Sequence, residues 1–194
     1  MQILHPFSGT IQQYLEQLAD PDSFRPSSCL PCGAKGALRA HGFYRRSVVD
    51  VSFDGLIAVR RYLCCVCWRT VSLLPQFVLP YLRFSISVIS RFLKACVVEG
   101  LTLQDSARKA LPRQVSCQRG QHWLGRFRSQ APALGAALAA LTPPVTDSSF
   151  ERKAIHMLEN AGWIPAHRFL LSQLRAHLLG WPLFLAPQGR PVTL

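Results

Sequence analysis

Cys29-Leu30-Pro31-Cys32 and Cys64-Cys65-Val66-Cys67 decide how the first half of this chain folds. Each is a C-x2-C pair, and 31 residues separate Cys32 from Cys64. Zinc takes four thiolates tetrahedrally, and two C-x2-C turns supply two ligands each. The spacing predicts Cys29, Cys32, Cys64 and Cys67 as ligands, with Cys65 pointing away. All four positions are then filled by protein, so the expected Zn2+ is structural and leaves no water for chemistry. Four buried cysteines without a metal are one alternative, and His41 is an alternative ligand. A redox C-x2-C pair needs a thioredoxin-like βαβ context, which the pattern lacks.

Working outward, the residues between the pairs read as an antiparallel hairpin. Residues 37–52 are rich in aromatic and β-branched side chains, among them Phe43, Tyr44, Val48, Val49 and Val51. Phe53-Asp54-Gly55 supplies the turn signal, because Asp-Gly accepts the positive φ that a tight hairpin demands. Residues 56–63 alternate, with Ile57, Val59 and Leu63 on one side and Ala58, Arg60 and Tyr62 on the other. A third short strand is expected over residues 69–74. This hairpin returns the chain so that the two cysteine turns meet, which is zinc-ribbon geometry. Its core is too small to hold alone, so the metal is expected to supply much of the local folding energy.

Beyond Pro75 and Pro80 the apolar period changes to that of a helix. Ser85 opens a helix with Ile86, Ile89, Leu93, Cys96 and Val97 on one face, and Gly100 ends it. Thr102 caps a second helix, with Asp105 three residues on. Its inner face is Leu103, Ala107, Ala110 and Leu111, and Pro112 stops it. After a short linker Ser116 caps a third helix, expected to run to about residue 128, with Gly120, Trp123, Leu124 and Phe127 inward. Gly120 should permit close approach to the preceding helix. Two helices joined tightly, the second basic, predict a helix-turn-helix. The outward residues Gln118, Arg119, Gln121 and His122 are the expected base readers, since Arg and Gln bond base edges bidentately. Arg126 and Arg128 are expected on phosphates, as are Arg45, Arg46, Arg60 and Arg61 of the ribbon. Arg60 and Arg61 must face opposite ways.

Farther on, residues 131–141 read as a short alanine-rich helix ended by Thr142-Pro143-Pro144. A helix follows over residues 150–160, and then an amphipathic one over 166–179 with Leu170, Leu171, Leu174 and Leu178 on a stripe, closed by Gly180. Trp163, Trp181, Phe184 and Leu185 are expected to pack back on it, and residues 187–194 read as a loose tail. This segment either caps the core or forms a homodimer surface. At the other end, residues 8–19 read as one short helix. The expected fold class is therefore α+β. Residues 1–24 form an N-terminal helix, 25–80 a zinc ribbon, 81–130 a helix-turn-helix and 131–194 a C-terminal helical segment.

The formal net charge is +12, with 18 Arg against 4 Lys. The excess lies in the middle of the chain: residues 25–70 carry eight basic side chains against Asp50 and Asp54, and residues 81–130 carry nine against Glu99 and Asp105. A polyanion is the natural partner, and the planar arginine fork suits phosphate. No strongly basic amphipathic helix points to a membrane surface. No apolar run reaches the roughly 18–20 residues of a membrane span, and the first residues lack a signal-peptide pattern. The expected location is the cytoplasm of a bacterium, at the nucleoid, where thiols stay reduced.

The order of these parts resembles the N-terminal zinc-ribbon and helix-turn-helix module of bacterial insertion-sequence transposases, and short uncharacterised transposase-like proteins sharing it. The residues that carry the resemblance are Cys29-Leu30-Pro31-Cys32-Gly33, His41-Gly42-Phe43-Tyr44-Arg45-Arg46, Arg60-Arg61-Tyr62 leading into Cys64-Cys65-Val66-Cys67, residues 69–75, and the helices from Leu101 to Phe127. The resemblance implies recognition of a mobile element's terminal DNA, with Cys29, Cys32, Cys64 and Cys67 mapping onto the zinc ligands. Full transposases of this kind also carry three separated carboxylates on two metal ions. Here the acids after residue 130 are Asp147, Glu151 and Glu159, all within 13 positions, and they read as a helix start instead. The expected function is DNA binding without catalysis. A zinc-stabilised protein–protein adaptor, an RNA-binding protein and a degenerate element remnant are the other readings.

Overall fold

The computed structural model describes residues 1–5, 9–16, 22–111 and 114–180. Its elements are β1 (Gln2–Leu4), α1 (Ile11–Glu16), β2 (Leu38–Asp50), β3 (Phe53–Cys64), β4 (Thr70–Leu74), α2 (Ile86–Val97), α3 (Leu103–Ala110), α4 (Cys117–Leu138), α5 (Phe150–Ala161) and α6 (Trp163–Gln173). The class is α+β: a mixed four-stranded sheet in the order β1-β4-β3-β2, followed by the longer helices. The expected stop at Pro112, the packing of Trp181, Phe184 and Leu185, and the tail over 187–194 lie outside the described residues. No described helix is long and apolar enough to cross a membrane.

β2 and β3 form the expected hairpin, but the turn is elsewhere. Val51 and Ser52 make it, while Asp54 and Gly55 pair within β3 with Val49 and Val48. Gly55 does not take positive φ. Its missing Cβ leaves room for the Phe53 ring, which would lie 2.9 Å from that atom. The glycine thus serves packing along the strand, so the local turn signal misplaces the bend by about two residues.

The alternation along β3 divides two apolar clusters between the faces of the sheet. Ile57 and Val59 join Ile11, Tyr14, Val48, Leu74 and Phe77. Tyr62 and Cys64 join Cys29, Leu38, Val71 and Leu73 on the other face. α1 covers the first face, where Tyr14 donates from its hydroxyl to the Ala58 carbonyl at 2.9 Å. A bulge at His41 and Gly42 shifts the register between Ala40 and Phe43, and Gly42 takes φ +72° there. β1 is a strand the sequence does not announce: Gln2 pairs in parallel with Ser72 and Leu4 with Leu74. Three residues are too few for an alternation to show.

Residues 71–80 are buried throughout and carry the chain from sheet to helices. The Val49 amide donates to the Arg83 carbonyl and the Ser85 amide to the Val49 carbonyl, both at 2.9 Å. Ser85 Oγ donates to the Asp50 carboxylate and accepts from the Val88 amide as the N-cap of α2. Thr102, Ser116 and Ser149 likewise cap α3, α4 and α5, each satisfying an amide that the helix start leaves without a partner. Gly100 takes φ +69° after α2, which lets the chain turn toward α3.

α4 departs most from expectation. One helix runs from Cys117 to Leu138 through Pro132, where two helices parted near residue 130 are expected, so the boundary between residues 130 and 131 falls inside an element. A proline in a helix interior costs about 3 kcal/mol. The continuous stripe of Trp123, Leu124, Phe127, Ala131, Leu134 and Leu138, all buried, offsets that cost. α6 ends earlier than expected, at Gln173. Arg175 takes φ +49°, Leu174 is half-exposed, and Leu178 and Leu179 reach the core from the segment beyond. Leu170, Leu171 and Leu178 are thus buried within the chain itself.

Gly120 faces Phe92 of α2, not the adjacent α3: a Cβ there would stand 2.5 Å from the fully buried ring. Gly120→Ala is therefore expected to destabilise by about 1–3 kcal/mol through overpacking. Gly125→Ala, on the same helix with open space around it, should gain about 0.5–1 kcal/mol. Urea unfolding of both variants checks the pair; equal effects of one sign would show that the Phe92 contact is not what matters.

Candidate metal centre

The hairpin returns Cys64 opposite Leu38, beside the first cysteine turn. Residues 29–34 and 64–69 then repeat one local geometry. The Gly33 amide donates to the Cys29 carbonyl at 2.7 Å, and the Trp68 amide to the Cys64 carbonyl at 3.0 Å. The Cys29 amide donates to the Ala34 carbonyl at 2.9 Å, and the Cys64 amide to the Arg69 carbonyl at 3.1 Å. Gly33 takes φ +74° and Trp68 φ +56° at the matching positions. That left-handed conformation is free of cost for glycine but costs other residues roughly 1–2 kcal/mol.

The ligand atoms of Cys29, Cys32, Cys64 and Cys67 all lie within 4.8 Å of one another. The Cys29–Cys67 and Cys32–Cys64 sulfurs are 3.7 Å apart. A tetrahedral ion with metal–sulfur bonds of about 2.3 Å sets its sulfurs about 3.8 Å apart. The four side chains therefore fit a single thiolate-bound metal ion. Backbone amides of Cys67 and Val66 aimed at the Cys64 sulfur hold its thiol down to about 6, whereas burial pushes the Cys29 thiol up. A cation at the centre favours the thiolate in all four. Cys65 stands outside the cluster and its sulfur accepts from Arg39 Nε at 3.1 Å. His41 is exposed in the bulge and is not part of the group.

The other sequence-predicted residues divide into two sets. Gln118, Arg119, Gln121 and His122 are together and exposed on the first turns of α4, with the Arg119 guanidinium 5.4 Å from the Phe84 ring centre. Arg45 is exposed on β2, and Arg128 is exposed with Glu151 at 3.9 Å. Arg61 is half-buried opposite Ser72. Three of the expected phosphate binders direct their hydrogen bonds into the fold. Arg46 Nη2 donates to the Leu79 and Leu82 carbonyls, each at 2.6 Å. Arg60 donates to Asp22 at 2.6 Å, and Arg126 to the carbonyls of Leu179 and Gly180. Buried carbonyls and a lone carboxylate need donors, and the charge count does not reveal which arginines supply them.

Asp22 is the residue that the sequence does not flag. It gathers Arg60, Arg25 and the Tyr62 hydroxyl, and the Arg60 hydrogen bond first among these holds its carboxyl down to about 2. It ties the segment before the first cysteine pair to β3. Asp147 and Glu151 both accept from Ser149, through its amide and its hydroxyl, and Glu159 accepts from Lys94.

Residues 29–113 match the family described as a domain of unknown function (DUF6431). The matched stretch holds the four cysteines, β2 to β4, α2 and α3, and ends before α4. No curated protein and no solved structure matches the chain.

Proposed function

We propose that this protein is a non-catalytic zinc-containing DNA-binding protein, built like the ribbon and helix-turn-helix module of insertion-sequence transposases. In this reading Cys29, Cys32, Cys64 and Cys67 hold a structural Zn2+, consistent with four soft thiolates and no position left for water. α3 and α4 are the helix-turn-helix, and α4 enters the major groove of a duplex. The observation that carries the reading is the two-sidedness of α4's first turns. Gly120, Trp123 and Leu124 are buried against the other helices, while Gln118, Arg119, Gln121 and His122 are presented to solvent together. Arg and Gln in that place can read guanine and adenine edges. Arg45 and Arg128 remain exposed for phosphates. Arg46, Arg60 and Arg126 serve the fold in this reading.

Fluorescence anisotropy with random and selected duplexes tests it. Affinity should fall linearly on a log–log salt plot, by about 0.9 per phosphate neutralised. Gln118→Ala and Arg119→Ala should each cost about 1–3 kcal/mol at defined positions of a selected site and relax sequence preference there. Duplex binding that is absent, or insensitive to salt, would sink the proposal. Tighter binding to RNA hairpins than to any duplex DNA would transfer it to RNA, and binding to neither would favour the adaptor reading.

A further inference from the structure

The two cysteine turns share one backbone geometry yet differ at one position. Where the first has Gly33, the second has Trp68, left-handed at φ +56° and 74% exposed. A bulky residue in that conformation carries strain, and such strain collects at functional sites. Trp68 is in none of the three buried apolar clusters, so packing does not account for it. Beside it are other large apolar side chains in the open, Leu30 at 49% and Val66 at 63%. A cleft between the turns is lined by Met1, Leu30, Pro31, Trp68, Arg69, Thr70 and Arg175. None of its described lining residues is acidic, and Arg69 and Arg175 are both exposed.

We propose that Trp68 and this cleft bind an unpaired base of single-stranded DNA. The indole face offers a stacking platform, Leu30 and Pro31 line the cleft beside it, and the Arg69 and Arg175 guanidiniums hold the adjoining phosphates. An aromatic platform flanked by arginines is the chemistry that takes a flat base on an anionic chain. Cationic surroundings with no carboxylate among the described lining residues disfavour a basic partner, and a purely apolar partner would leave the exposed Arg69 guanidinium unused. The site is separate from α4 and shares with the duplex reading only the class of ligand.

The test uses the full metal-loaded chain, with fluorescein-labelled (dT)12 and a 12-base-pair duplex as probes, each about 12 units long so that an aromatic contact is not limited by length. Trp68→Gly keeps the charge and restores the residue the first turn uses. It should weaken (dT)12 binding about 5- to 100-fold, the range that one base–aromatic stack commands. Duplex affinity should change less than about twofold, metal content should stay at the wild-type value, and the unfolding midpoint should be equal or higher. Trp68→Phe should recover most of the (dT)12 affinity. Unchanged (dT)12 binding by Trp68→Gly, or no recovery by Trp68→Phe, overturns the proposal. So does a Trp68→Gly protein that loses metal or unfolds earlier, because Trp68 is then structural. Tighter binding of (rU)12 than (dT)12 overturns the assignment to DNA. Loss of duplex binding alone, with Trp68-dependent (dT)12 binding kept, removes the α4 reading and leaves this one standing.

Discussion

Cys64→Ser is expected to abolish stoichiometric metal binding and to unfold the sheet end that the two cysteine turns form, while the helical half keeps its structure. Metal bound to four thiolates contributes roughly 10–16 kcal/mol of apparent folding energy in small zinc-finger peptides, more than the whole stability of most domains. The apolar cluster around the centre is small: Cys29, Leu38, Tyr62, Cys64, Val71 and Leu73 are its buried members. The cluster under the helices holds most of the buried apolar residues and includes none of Cys29, Cys32, Cys64 and Cys67. Hydrogen exchange should therefore show lost protection over residues 28–40 and 60–72 and near-native protection over α2, α4 and α5. Cys65→Ser is the control, since Cys65 lies outside the group; it should bind metal as the wild type does. A Cys64→Ser protein with intact protection at the cysteine turns would show that the ion is dispensable for the fold.

Acid should unfold the protein between about pH 6.5 and 4. His5, His167 and His177 are buried, and burial first of all depresses each, to about 4, 3 and 4 respectively. His167 makes no hydrogen bond of good geometry from either ring nitrogen; nearby His177 adds to its depression and the Val78 backbone opposes it. His177 is opposed by the Pro80 carbonyl and pushed further down by Arg126. The sign follows from proton counts. Below pH 6.5 the unfolded chain protonates these rings and the folded one does not, so stability is full above that pH and declines as pH falls through the folded values. At pH 5 each neutral ring costs about 2 kcal/mol of stability, together about 6 kcal/mol, a large part of a typical domain's total. Helical circular dichroism against pH reads the transition. His167→Leu should move it to lower pH, whereas metal release, followed separately through a cobalt-substituted centre, should stay where it is. An unfolding curve flat from pH 7 to 4.5 would refute the buried neutral histidines.

The four cysteines were legible because ligand chemistry depends on residue type and spacing, and both are local. The caps Ser85, Thr102, Ser116 and Ser149 were legible for the same reason. What failed was wherever a distant partner overrides a local rule. Asp54-Gly55 reads as a turn until the Phe53 ring needs the space above Gly55. The residues around 130 read as a break between two helices until a long buried stripe carries one helix through Pro132. β1 is too short to announce itself, and its partner β4 lies far along the chain. Arg46, Arg60 and Arg126 look like any surface arginine in the sequence, because nothing there shows that the carbonyls of Leu79, Leu82, Leu179 and Gly180, or the carboxylate of Asp22, will need donors.

Arg46 has a consequence that is metric. By bonding two carbonyls between β4 and α2, with the Val49 and Ser85 backbones joined beside it, it fastens the hairpin to the first helix of the bundle at several points. The cysteine turns and the start of α4 then stand at a set distance on a common frame. A ligand that touches both is chosen by the spacing between its two contact points, as a caliper chooses by gap, and replacing Arg46 would slacken that gauge without altering either jaw.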